Sequence, residues 1–178
     1  MATIGLVSLE SARAQGNLVV NGAFDSDFSG WMAYNCLWIG QGKPSGYVSL
    51  IMYPDAPASL SQTIYGLTIG NTYIVSGDYS NGSSTSYQNL EVSIDGVPYV
   101  TVAGTGQELN WSTFNFSFIA GSATMTLDIV GSISTMKGYW FIDNISMVAV
   151  PEPGSLCLLG LGVAGGLLFQ RRKKGLQI

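Results

Sequence analysis

From Asn17 to Val150 the chain is written in twos: large apolar side chains alternate with small polar ones in short runs, and turn dipeptides cut the runs apart. A period of two puts successive side chains on opposite faces of an extended strand, whereas a helix needs apolar residues every three or four positions. Tyr73, Val75 and Tyr79 alternate with Ile74, Ser76, Asp78 and Ser80, and Leu90, Val92 and Ile94 with Glu91, Ser93 and Asp95. Phe114, Phe116 and Phe118 alternate with Thr113, Asn115 and Ser117, and Met125, Leu127 and Ile129 with Thr124, Thr126 and Asp128. A last run covers Trp140 to Val148. Asn21-Gly22, Asn81-Gly82, Asp95-Gly96 and Gly104-Thr105-Gly106 supply turns, and Asp95-Gly96 suits a two-residue hairpin into Val97 to Val102. Seven to nine such strands predict an all-β sandwich at residues 15–149, of jelly-roll form.

Charge narrows the chemistry. Between Gln15 and Val150 nine acids stand against two basic residues, Lys43 and Lys137, and the chain's pI is near 4.5. That balance opposes binding to a phosphate backbone, so no nucleic-acid partner is expected. It suits either plain solubility or a divalent cation. The chain has no histidine, which excludes His-dependent triads and His-containing zinc sites. Cys36 lies in the body and Cys157 in an apolar tail, so no disulfide framework can be read from them.

The two ends differ from the body. Residues 1–14 read as the residual end of a secretory signal: a short apolar run, Ile4 to Leu9, precedes Ala12-Arg13-Ala14, the small-x-small pattern of a signal-peptidase site. The usual basic segment is missing, so the true start is expected upstream; an ordinary loose N-terminus is the alternative. At residues 150–178 the order is Pro151-Glu152-Pro153, an apolar stretch from Leu156 to Phe169, then Arg171, Arg172, Lys173 and Lys174. The stretch predicts a single hydrophobic helix of about 21 Å, short of the roughly 30 Å hydrocarbon core but able to anchor through snorkelling flanks. The basic cluster would stay cytoplasmic, leaving the body outside the inner membrane.

Pro-Glu-Pro, apolar helix and basic end, in that order, resemble the PEP-CTERM sorting signal of Gram-negative bacteria. The resemblance implies an exosortase-type enzyme as partner, transient anchoring in the inner membrane, and a final place at the cell surface or outside the cell. It also implies a host that makes exopolysaccharide.

The body carries a second resemblance. Asn17-Leu18-Val19-Val20-Asn21-Gly22-Ala23-Phe24-Asp25 followed by Gly30-Trp31, and the closing Phe141-Ile142-Asp143-Asn144-Ile145-Ser146-Met147, resemble the opening and last strand of galactose-binding-like jelly rolls, which include carbohydrate-binding modules. The segments Leu60 to Ile64 and Leu67 to Tyr73 resemble that group's second strand pair. The resemblance implies a structural calcium ion shared by Asp25 and Asp143 with backbone carbonyls such as that of Ala23. Asp25 stands where the group commonly has the longer Glu. The alternative is that Asp25 caps a turn and Asp143 bonds backbone at a bulge.

Sugar recognition needs flat aromatic faces over the C–H surface of a pyranose and amides or acids for its hydroxyls. Trp31 and the three phenylalanines of the Phe114–Phe118 run are expected in the core. Tyr34, Trp38, Tyr87, Gln88 and Asn89 sit in less regular sequence and are the candidate binding residues. Catalysis has little to rest on: the acids lie singly, and there is no Gly-x-Ser-x-Gly elbow, phosphate loop or zinc spacing. The expectation is a non-catalytic exported protein whose sandwich binds carbohydrate, exopolysaccharide first. The alternatives are a structural surface or biofilm-matrix protein and, last, a glycan-active enzyme with two facing carboxylates.

Overall fold

The computed structural model describes residues 16–40, 46–83, 87–106 and 110–151. Ten strands run through them: β1 (Met32–Tyr34), β2 (Cys36–Ile39), β3 (Tyr47–Met52), β4 (Ala58–Tyr65), β5 (Thr72–Asn81), β6 (Gln88–Ile94), β7 (Val97–Ala103), β8 (Trp111–Ile119), β9 (Thr124–Ile133) and β10 (Gly138–Ala149). The described residues contain no helix. The leader and almost all of the tail, including Glu152, Pro153, the apolar stretch and the basic cluster, lie outside the described residues.

The strands form two five-stranded sheets, ordered β1-β4-β9-β6-β7 (sheet A) and β2-β3-β10-β5-β8 (sheet B), with antiparallel pairing throughout. Chain neighbours often lie in different sheets, which is what a jelly roll requires. Ten strands form where the alternation foretold seven to nine, because β1 and β2, only three and four residues long, carry too little period to read. Asn35, at φ +52°, separates them and lets the chain pass from one sheet to the other.

The inner halves of the alternating runs make one core. Leu60, Leu90, Val92, Leu127 and Ile129 come from sheet A, and Leu50, Met52, Tyr73, Val75, Trp140 and Ile142 from sheet B, all essentially inaccessible. Each fully buried aliphatic or aromatic side chain contributes roughly 1.5–3 kcal/mol relative to exposure. The β6–β7 hairpin turns on Asp95 (φ +49°) and Gly96 (φ +75°), the left-handed pair that a two-residue turn demands. Asp95 also accepts the Thr126 N–H at 2.7 Å, tying the hairpin to β9.

The N-terminal segment is stitched to the last strand. β10 bulges between Asp143 and Ser146. Into that gap the Ile145 N–H donates to Gly22 O (2.8 Å), and Leu18 N–H donates to Met147 O (2.9 Å). Asn17 Oδ1 accepts the Met147 N–H at 2.9 Å. A Cβ at position 22 would lie 2.0 Å from Ile145 O, so only glycine fits. Phe24 is wholly buried against Trp31 (centroids 5.6 Å apart), and Trp31 Nε1 donates to Val20 O at 3.0 Å. Trp31, Phe114 and Phe118 are core residues as expected, while Phe116 is half-buried and stacks on Tyr99 at 4.8 Å.

Candidate functional site

The outer faces of the two sheets carry different chemistry. On sheet A the outward positions are Ser59, Ser61 and Thr63 of β4, Thr126, Asp128 and Ser132 of β9, and Asn89 and Glu91 of β6, a low hydroxyl-rich surface. Tyr34 and Tyr65 stand exposed at its margins.

Sheet B turns aromatic rings outward. One transverse row runs Leu37–Ser49–Phe141–Ser80–Trp111 across β2, β3, β10, β5 and β8. Tyr47, two residues before Ser49 on the same face, brings its ring to 4.9 Å from Phe141 and 5.8 Å from Trp111. All three rings are half-buried, and Ser80 between Phe141 and Trp111 is wholly covered, with no hydrogen-bond partner for its Oγ. Farther along the face Lys137 Nζ lies 5.4 Å from the Tyr53 ring and 5.1 Å from the Tyr139 ring, a cation held between two phenols. Hydrogen bonding to those two phenols raises the Lys137 pKa, so the cation persists at any physiological pH. Rings, an ammonium group and, alongside, Thr113, Asn115 and Asp78 make a surface able to cover C–H faces and pair hydroxyls.

The next row is acidic. Asp143 on β10 lies directly opposite Asp78 on β5, which lies opposite Thr113 on β8. Like charges facing across a ladder repel. Asp78 spreads its charge over hydrogen bonds from Thr113 Oγ1 (2.7 Å) and Asn144 Nδ2 (3.0 Å). Asp143 is wholly buried and, among the described residues, accepts from its neighbour Asn144, the N–H at 2.7 Å and Nδ2 at 3.4 Å. Burial pushes the Asp143 carboxyl up to about 6; the Asn144 N–H opposes the rise, and the charges of Asp78 and Asp25 add to it. Among the described residues no three acidic, cysteine or histidine side chains converge on one metal position. A cation at Asp25 and Asp143 would therefore need backbone carbonyls. Phe24 O is committed to Trp38 Nε1 at 2.7 Å.

The five candidate binding residues are not brought to one face. Trp38 sits on β2 beside Val48, half-buried, and its indole N–H is spent on Phe24 O; it braces the Asp25 loop. Gln88 is 0% exposed, which corrects its assignment to a binding surface. Its amide nitrogen donates to Asn81 Oδ1 and to Tyr139 O, and its Oε1 accepts from Ser83 Oγ at 2.9 Å, a polar knot inside one end of the sandwich. Tyr34 (59% exposed) and Asn89 belong to sheet A, and Tyr87 (61% exposed) precedes β6. Sequence reasoning passed over Tyr47, Trp111 and Phe141. The usable signal was that Tyr139–Ile142 is apolar on both faces of its strand, one face more than a two-sheet core can consume. Cys36 is half-buried, and burial lifts its thiol to about 11, which makes it an unreactive packing group.

Comparison with known proteins agrees with this architecture. Residues 149–173 match the PEP-CTERM protein-sorting motif. No curated protein matches the chain in sequence. Among solved structures the chain is similar to TmCBM61 in complex with β-1,4-galactotriose, with TM-score 0.62 and 16% identity over 76% of this chain and 100% of that one. It is similar also to a family 16 carbohydrate-binding module, with TM-score 0.55 and 19% identity over 74% of this chain and 99% of that one. A cyclase from Fischerella sp. TAU in complex with 4-(1H-indol-3-yl)butan-2-one shares the fold too, with TM-score 0.55 and 14% identity over 78% and 98%. At these identities the likeness establishes the fold alone: an all-β, two-sheet sandwich of jelly-roll form. The C-terminal motif marks an exported protein that carries a sorting signal.

Proposed function

We propose that the protein is a non-catalytic, surface-sorted carbohydrate-binding protein, and that its glycan lies on the outer face of sheet B. The observation that carries this reading is the ring cluster of Tyr47, Phe141 and Trp111 with the Lys137 cation between Tyr53 and Tyr139. A sandwich gains nothing for its core from aromatics turned away from it, so rings gathered there have another use. The sorting motif supports an exosortase-type enzyme as processing partner, transient inner-membrane anchoring, and delivery to the cell surface or beyond. The exopolysaccharide of the same cell is the ligand to test first.

Asp78 and Asp143 face each other as a glycosidase pair would, but their environments favour structure over catalysis. Asp143 has no exposed surface to offer a substrate, and Asp78 is occupied by Thr113 and Asn144. Calcium fits Asp143 better: a buried carboxylate with few donors and acidic neighbours is relieved by a divalent cation. Asp25 and Asp143 would hold it together with backbone carbonyls, fastening the N-terminal segment to β10.

The test is binding of the protein to soluble polysaccharides, exopolysaccharide included, by titration calorimetry with calcium and with chelator. Binding lost in Trp111→Ala and retained in Tyr65→Ala supports the platform on sheet B. Folded protein that binds no glycan under either condition ends the carbohydrate reading and leaves the structural surface protein, for which the mutual packing of the three rings is the supporting observation.

A further inference from the structure

A two-sheet sandwich has four edge strands, each with a row of unpaired backbone N–H and C=O groups that can template another strand. Three of the edges here are blunted. β1 and β2 are three and four residues long, too short to recruit a partner strand. β7 carries Pro98, and its pairing with β6 shifts register between Val92 and Ser93.

The fourth edge, β8, has none of these devices. It runs nine residues, Trp111–Ile119, with no charge and no proline. It pairs with β5 from Ser80↔Trp111 to Thr72↔Ile119 without a register shift, and among the described residues no strand pairs with its other side. Strong strand formers with neither gatekeeper charge nor proline are the signature of a segment that accepts another strand.

The sequence of β8 also complements itself. In an antiparallel pair centred on Asn115, Asn115 meets its own copy, Thr113 meets the second copy's Ser117, and Trp111 meets Ile119. On the inner side Phe114 meets the second copy's Phe116. Thr113 with Ser117 and Phe114 with Phe116 match in kind, Phe118 meets Ser112, and no pair sets like charges face to face, so the strand is open to an isologous two-fold contact. With no charged residue on the strand, a partner recognised by charge has nothing to read.

We infer that β8 is a self-association edge through which two copies join sheet B to sheet B, forming one ten-stranded sheet. The inference stands apart from glycan binding. A single edge buries little area, so the dimer is a weak one, with a dissociation constant on the order of 10–100 μM.

The test is sedimentation velocity on the full chain across that concentration range, together with three variants. Asn115 is exposed, so Asn115→Lys leaves the core untouched and sets two cations face to face at the two-fold; it is expected to abolish the dimer. Thr101→Lys on the β7 edge is expected to leave it intact. Asn115→Cys, with Cys36 and Cys157 replaced by serine, is expected to form a disulfide-linked dimer under mild oxidation. A chain that stays monomeric throughout, or a dimer indifferent to Asn115→Lys and not cross-linked through Asn115→Cys, overturns the inference.

Discussion

The outer faces of sheets A and B are built by the same rule and weighted differently. In both, every second side chain of a strand points away from the core. On sheet A those positions are mostly Ser59, Ser61, Thr63, Thr126 and Ser132, with Val130 among them and Met32, Tyr34 and Tyr65 at the margins; on sheet B Tyr47, Ile51, Tyr139, Phe141 and Trp111 gather beside Ser49, Ser80 and Thr113. Sheet A shows what the fold requires of an outer face, which is strand propensity and solubility. What sheet B adds beyond that is surplus to folding, and the proposed glycan face rests on that surplus. Sheet B also keeps a wholly buried carboxylate, Asp143, whereas the acids Asp128 and Glu91 of sheet A are only half-buried.

The largest expected effect lies at that carboxylate. Its pKa is raised in the folded protein from 3.8 to about 6, so the fold holds the proton more tightly than the unfolded chain does. The resulting stability is fully present below pH 4 and is lost as pH rises through 6, about 3 kcal/mol in total without a cation. Urea unfolding in chelator should show this decline between pH 4 and 7, and millimolar calcium should offset it. Asp143→Asn should remove the pH dependence and the calcium response together. A profile in chelator that is flat over this range would remove Asp143 from the contrast.

Next is the ring platform. Trp111→Ala should weaken glycan binding by about 2 kcal/mol, roughly 30-fold, as loss of a central aromatic anchor does. Calorimetry checks it, and an unchanged affinity in a folded variant would mean that sheet B's rings are packing only. Lys137→Met deletes the cation between Tyr53 and Tyr139 and should lower stability only slightly, since the site is exposed. Thermal unfolding at low and high salt reads it. The smallest effect belongs to sheet A: Tyr65→Ala should change stability by less than about 0.5 kcal/mol and binding not at all. A binding loss there would invert the comparison.

The fold was legible because alternation is a local signal that the core merely ratifies. Tyr73 and Val75 faced inward and Ile74 and Ser76 outward as read, and the Asp95-Gly96 hairpin formed where its dipeptide stood. The short strands around Tyr34 and Trp38 were not legible: three or four residues carry too little period, and their neighbours in the sheets decide them. The candidate site was less legible for a different reason. Irregular sequence was taken to mean a loop that binds, yet Gln88 begins a strand and is drawn inside by Asn81 and Ser83. Tyr47, Phe141 and Trp111 are 30 to 94 positions apart in the chain, and only strand order brings them together. Asp25 with Asp143 was reached through a resemblance in short motifs, and their sharing a cation is a proposal that the chelator experiment tests.

The stitching of the first residues to the last strand has a mechanical side. The chain leaves the sandwich through β10, which lies in the middle of sheet B, in register with β3 over five positions and with β5 over eight. A protein held by its C-terminal end and tugged through its outer face is loaded along that strand. Ladder hydrogen bonds run perpendicular to the strands, so such a pull shears those on both flanks of β10 together, where an edge strand has a ladder on one flank only. Leu18 and Asn17, clasping Met147, add rungs at the end where tension arrives first. The strand that would bear a tether is thus one laddered on both sides.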